Sequence, residues 1–247
     1  MASKLTTLAA AIATCAVTAT AQASLVYVGV IDISGSGFGN SLTILTIQDG
    51  NDELLTAEGS VAPDGPDAGT ALDTTGEVKT GSSQLGTPSL ADFGLTGVGG
   101  TITSTSQLRI IYNADQPAGG TVTLDNLILS LYTGTGATRT EIFNSGAFAS
   151  QTFATTFSGV GNAGYVFRLD AEQAAAADLA ASPFSYSNVL VGLSARVLGD
   201  VGGPETLVGY QGPGFLGTGT PVPLPGTLML LGLGALALGA SMRRRQG

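Results

Sequence analysis

The chain has 247 residues, 37 of them glycine, and carries 18 acidic against nine basic side chains for a formal net charge of −9. It has no histidine, no tryptophan and one cysteine. Those absences exclude a Ser-His-Asp triad and histidine-ligated zinc, and so few cations exclude nucleic acid, whose phosphates need clustered Lys and Arg.

The first segment reads as a targeting sequence. Lys4 supplies a positive start, Leu5 to Thr18 an apolar stretch, and Ala21-Gln22-Ala23 an A-x-A cleavage site before Ser24. Residues 1–23 are therefore expected to be a signal peptide. Cys15 falls inside it. A lipobox at Ile12 to Cys15 fits worse, because Thr14 precedes the cysteine and cleavage there would cut the apolar stretch short. A body starting at Ser24 has no disulfide and no thiol nucleophile. Lys4, Arg243, Arg244 and Arg245 lie in the two ends, so the segment between them holds 18 acidic against five basic residues, a net of −13. Its length suits a single domain over 24–211 with a proper core.

Within that body, Leu25 to Ile33 is β-branched and aromatic and reads as a first strand. Ser34 to Asn40 is glycine-rich, but a second strand pattern from Ser41 to Gln48 follows it, so it is a turn and no phosphate loop. Asp49, Asp52 and Glu53 then cluster within five residues. A solvated hairpin turn is the commoner reading, and a weak calcium site with carboxylate ligands is the alternative. No other cofactor is expected.

Residues 54–100 are irregular, with short strands expected near Leu54 to Val61 and Gly76 to Thr80 and loops at Val61 to Gly69 and Gly94 to Gly100. Strand character returns over Thr101 to Tyr112, where Leu108, Ile110 and Tyr112 alternate onto one face. Thr121 to Tyr132 is the strongest strand signal. Its apolar residues change parity between Leu124 and Leu127, so a β-bulge near Asp125-Asn126 is needed to keep Val122, Leu124, Leu127, Leu129 and Leu131 on one side. Shorter β pieces follow over Glu141 to Phe157, and another strand over Gly164 to Leu169. Asp170 and Gln173 form a capping-box pattern ahead of the alanine run 174–181, which Ser182-Pro183 ends. Strands resume at Asn188 to Val197 and Glu205 to Tyr210. Short alternating strands, glycine-rich turns and few helix formers predict an all-β fold: a single antiparallel β-sandwich, jelly-roll-like, with one short helix.

After a glycine- and proline-rich spacer over 212–225 comes a distinctive tail. Pro221-Val222-Pro223-Leu224-Pro225 cannot continue a helix. Gly226 to Met242 has no ionisable side chain, and Arg243-Arg244-Arg245 follows. As a helix the run would be about 25 Å long, close to the ~30 Å hydrocarbon core, with arginine stems reaching the interface. The arginines place that end on the cytoplasmic side. Residues 226–247 are therefore expected to form a transmembrane helix and basic tail.

This order of parts resembles the PEP-CTERM sorting signal of Gram-negative bacteria, in its Val-Pro-Leu-Pro-Ala variant. Val222, Pro223, Leu224 and Pro225 carry the resemblance, with Gly226 where the variant usually has alanine. The phrases LDNLILSLY and GYVFRLDAEQAAAA are also similar to segments of other proteins with this signal. The resemblance implies recognition by an exosortase, a membrane-embedded cysteine protease-like enzyme. It also implies a transient inner-membrane anchor, followed by the cell surface or extracellular matrix. The expected protein is non-enzymatic and associated with exopolysaccharide or biofilm. The alternative is a carbohydrate-binding module or carbohydrate-active enzyme on the same tail.

Overall fold

The computed structural model describes residues 25–32, 42–48, 56–66, 78–79, 85–95, 102–114, 120–154, 163–199 and 203–211, all within the unit Ala23–Gly219. Among them are eleven strands: β1 (Val26–Asp32), β2 (Leu42–Ile47), β3 (Thr56–Ala62), β4 (Gly65–Pro66), β5 (Leu108–Ala114), β6 (Thr121–Thr133), β7 (Thr140–Asn144), β8 (Gln151–Ala154), β9 (Ala163–Arg168), β10 (Val189–Leu198) and β11 (Glu205–Gln211). One α-helix among the same residues, α1 (Ala171–Ala181), sits between β9 and β10 in sequence. The first sheet has the order β1-β9-β5-β11-β2, and the second the order β4-β3-β10-β6-β7, with β8 also on β6. Every pairing is antiparallel. No helix among the described residues is long and apolar enough to cross a membrane, and the run 226–242 lies outside them.

One buried cluster draws on both sheets: Ile44, Leu45, Ile110, Tyr112, Phe167 and Leu207 from the first, and Val61, Leu124, Leu129, Val191 and Leu193 from the second. Burial of this apolar surface is the main term holding the sheets together. Aromatic contacts tie one region further. Phe153 of β8 stacks on Tyr165 of β9 with ring centroids 4.2 Å apart, and Tyr27 of β1 lies 5.1 Å from Phe153. Offset and tilted pairs of this kind add to area burial. Burial raises the pKa of both Tyr27 and Tyr165.

The bulge expected in β6 is present. Opposite β10, Arg196 pairs with Asn126 but Val197 pairs with Leu124, so Asp125 is the extra residue. That single insertion keeps Val122, Leu124, Leu127, Leu129 and Leu131 all buried. It also sets Asp125 beside Arg196, 3.8 Å away, while Glu58 lies 3.3 Å from the same guanidinium. With Arg196 nearly half exposed, these ion pairs favour register more than stability.

Three expectations are corrected. The strand read over Thr101 to Tyr112 begins only at Leu108, because Thr105–Gln107 is a 3-10 turn with a complete capping box from Ser104 to Gln107. The short strand near Gly76 to Thr80 is, in its described part, a single bridge from Val78 to Ile47. The capping box expected at α1 is only half formed. Asp170 caps the helix by accepting from the Gln173 amide N–H at 2.8 Å, but the Gln173 side chain turns away and donates to the Ser145 carbonyl. Tertiary satisfaction of a buried amide has outcompeted the local bond.

Candidate functional site

The residues read from sequence as functional lie outside the described ones. These are the sorting motif Val222, Pro223, Leu224 and Pro225, the tail arginines Arg243, Arg244 and Arg245, the cleavage site Ala21, Ala23 and Ser24, and the acidic cluster Asp49, Asp52 and Glu53. Their flanks are informative. β2 pairs with β11 in the first sheet, whereas β3 pairs with β10 and β4 in the second. The connection carrying Asp49, Asp52 and Glu53 is thus no hairpin turn; it links one sheet to the other. The tail, for its part, leaves the body from β11, which is bonded on one side to β5 and on the other to β2.

Carboxylates in the described body make structural contacts. Asp64 accepts from the Gly136 N–H at 2.7 Å and pairs with Arg139 at 3.3 Å. Asp92 accepts from both the amide and the hydroxyl of Ser89. Asp178, on α1, accepts from the Ser104 hydroxyl and the Thr105 N–H, each at 2.7 Å, and from the Tyr186 hydroxyl at 3.2 Å. Burial pushes the Asp178 carboxyl up, but these hydrogen bonds outweigh it and its pKa falls below the ordinary carboxylate value. Burial, then the Asp178 charge, raises Tyr186. No group of three or more acidic, histidine or cysteine residues suited to a metal occurs among the described residues.

On the outer face of the first sheet, Arg109 is buried and its Nη1 donates to the carbonyls of Ser106 and Leu108. Burial lowers its pKa, and the neighbouring charge of Arg168 lowers it further.

Sequence reasoning missed a shallow cleft of about 510 Å³ where the end of β6 meets the turn after α1. Thr133, Thr135, Phe184, Ser187, Asn188 and Leu190 line it. The signal was present in the solitary Phe184 between Pro183 and a serine-rich turn, an aromatic without a strand to belong to.

The described fold and the tail together define an antiparallel two-sheet body with a C-terminal targeting segment. Residues 221–245 match the PEP-CTERM protein-sorting motif, so the chain carries that motif and is consistent with an exosortase substrate, sorted at the membrane to the surface or the extracellular space. No curated protein and no solved structure matches the chain.

Proposed function

We propose that this is a non-enzymatic matrix protein of a Gram-negative bacterium. On this reading a signal peptide over 1–23 exports it and the 226–242 helix holds it in the inner membrane. An exosortase then acts at Val222 to Pro225, and the body, read as a jelly-roll-like sandwich, joins the extracellular polysaccharide. The observation that carries the reading is the sorting motif at 221–245. The non-enzymatic part is supported by the lack of histidine and of any cysteine beyond Cys15, and by the structural hydrogen bonds and ion pair that engage Asp92, Asp178 and Asp64.

Changing both Pro223 and Pro225 to Ala tests the reading. Without the prolines the apolar helix can extend into the motif, and the exposed extended stretch is lost. The full-length species is then expected to build up in the membrane fraction, while wild type yields a shorter released form. Deleting the exosortase gene should give the same retention. Equal release of wild type and variant would show that no enzyme reads this motif.

A further inference from the structure

The geometry points to the cleft between β6 and the turn after α1 as a binding site for a neutral saccharide, formed by the Phe184 ring with the Thr133, Thr135 and Asn188 side chains. Phe184 is one of few large apolar side chains left open among the described residues, at 41% exposure. Around it the lining is uncharged, with Leu190 beside the polar Thr133, Thr135, Ser187 and Asn188, in a chain with 18 acidic residues. The side chains of Thr133, Thr135 and Asn188 make no hydrogen bond to another described residue, which leaves their hydroxyl and amide groups available.

Both walls are built in advance. On one, Gly134 and Gly136 adopt φ of +69° and +57°, which lets the chain turn sharply after β6. Asp64 then fixes that turn through the Gly136 N–H and Arg139. On the other, the Phe184 N–H donates to the Ala181 carbonyl and the Asn188 N–H to the Ser185 carbonyl, while Tyr186 is held by Asp178. A site organised before binding loses less entropy when it is filled.

The chemistry selects the ligand class. A pyranose has one apolar C–H face, which packs on an aromatic ring, and an equator of hydroxyls that pair with uncharged donors and acceptors. None of the described residues lining the cleft carries a positive charge for an anion, and Arg139 is paired with Asp64. A protein partner needs about 800 Å² per side, far more than this cleft offers. The inference deepens the proposed polysaccharide association, but the two stand apart experimentally: a correctly sorted protein that binds no sugar refutes only the cleft, and an unsorted one that does refutes only the sorting.

The test uses the full chain in a zwitterionic detergent free of sugar headgroups, with hexamers of neutral glucose, mannose and galactose and with hexagalacturonate, read by saturation-transfer NMR and titration calorimetry. At least one neutral hexamer should bind, and more tightly than the acidic one. Phe184→Ala should weaken it about tenfold, Asn188→Ala should weaken it too, and Phe184→Trp should hold it at least as well as wild type. Melting temperatures should stay level, because both residues are exposed. Failure of every neutral hexamer to bind, stronger binding of hexagalacturonate, or undiminished binding by Phe184→Ala would each overturn the assignment. If Phe184→Ala did not fold, the contrast between Phe184→Trp and Asn188→Ala would decide.

Discussion

Adding one methyl group at Gly209 is expected to cost the body about 2–3 kcal/mol of stability, near the top of the usual range for overpacking. Gly209 is a central residue of β11, paired with Ile110 of β5 and Leu42 of β2. A Cβ there would lie 2.0 Å from Cε1 and 2.8 Å from Cζ of Phe93. The ring cannot step aside easily. Phe93 is fully buried in a 3-10 turn whose first residue, Asp92, is held by Ser89. The preceding Leu90 N–H is bonded in turn to the Val189 carbonyl on β10. Replacing glycine by alanine ordinarily gains about 0.4–1 kcal/mol by restricting the unfolded chain, so the clash wins. In urea the midpoint for Gly209→Ala should fall while the slope is unchanged. Combining it with Phe93→Leu should cost less than the sum of the two, because the smaller side chain makes room for the methyl. Strict additivity, or a Gly209→Ala midpoint equal to wild type, would mean that the ring is not pinned.

The contact between Gly209 and Phe93 shows where sequence reasoning stops. Period-two alternation identified the faces of β5 and β6, and the parity change at Asp125 even located the bulge, because a core that demands one face leaves few registers. The glycine carries no such pattern: its close partner is more than a hundred residues away and becomes a neighbour only through the sheet order β5-β11-β2. The hairpin reading of Asp49, Asp52 and Glu53 failed for the same reason. Two strands in succession with a polar turn between them look alike whether they pair or diverge into different sheets. The capping boxes reversed roles for a different cause. Ser104-Thr105-Ser106-Gln107 has the pattern outright but was hidden by the β-branched residues around it, whereas Gln173 has it and is drawn off to the carbonyl of Ser145. The tail was legible because its chemistry is linear: prolines, apolar run and arginines need no fold to be recognised. The Phe184 cleft was not, since its two walls come from residues 133–135 and 184–190.

Asp178 is expected to couple the stability of the body to acid. It joins α1 to the 3-10 turn before β5 and to the one before β10, since its carboxylate takes hydrogen bonds from Ser104, Thr105 and Tyr186. Its folded-state pKa is depressed: burial raises it, and the hydrogen bonds more than compensate. A carboxylate depressed in the folded state binds its proton more readily when unfolded, at a pKa near 3.9. Its contribution is therefore complete above that value and disappears as pH falls through the lower folded-state pKa. Asp178→Asn keeps the shape but replaces one acceptor oxygen by an NH₂ donor, which meets either the Ser104 hydroxyl or the Thr105 N–H. At pH 7 the variant should lose about 1–2 kcal/mol, a figure reduced for the partial exposure of the site. Near pH 3 and below the gap should narrow, because wild type then also begins to lose its carboxylate. Thermal melts of wild type and Asp178→Asn from pH 7 down to pH 2.5 measure this directly. A gap that stays constant over the whole range would show that the three hydrogen bonds are indifferent to the charge, and that α1 is held by its buried Ala174, Ala177 and Ala181 and by Gln173 alone.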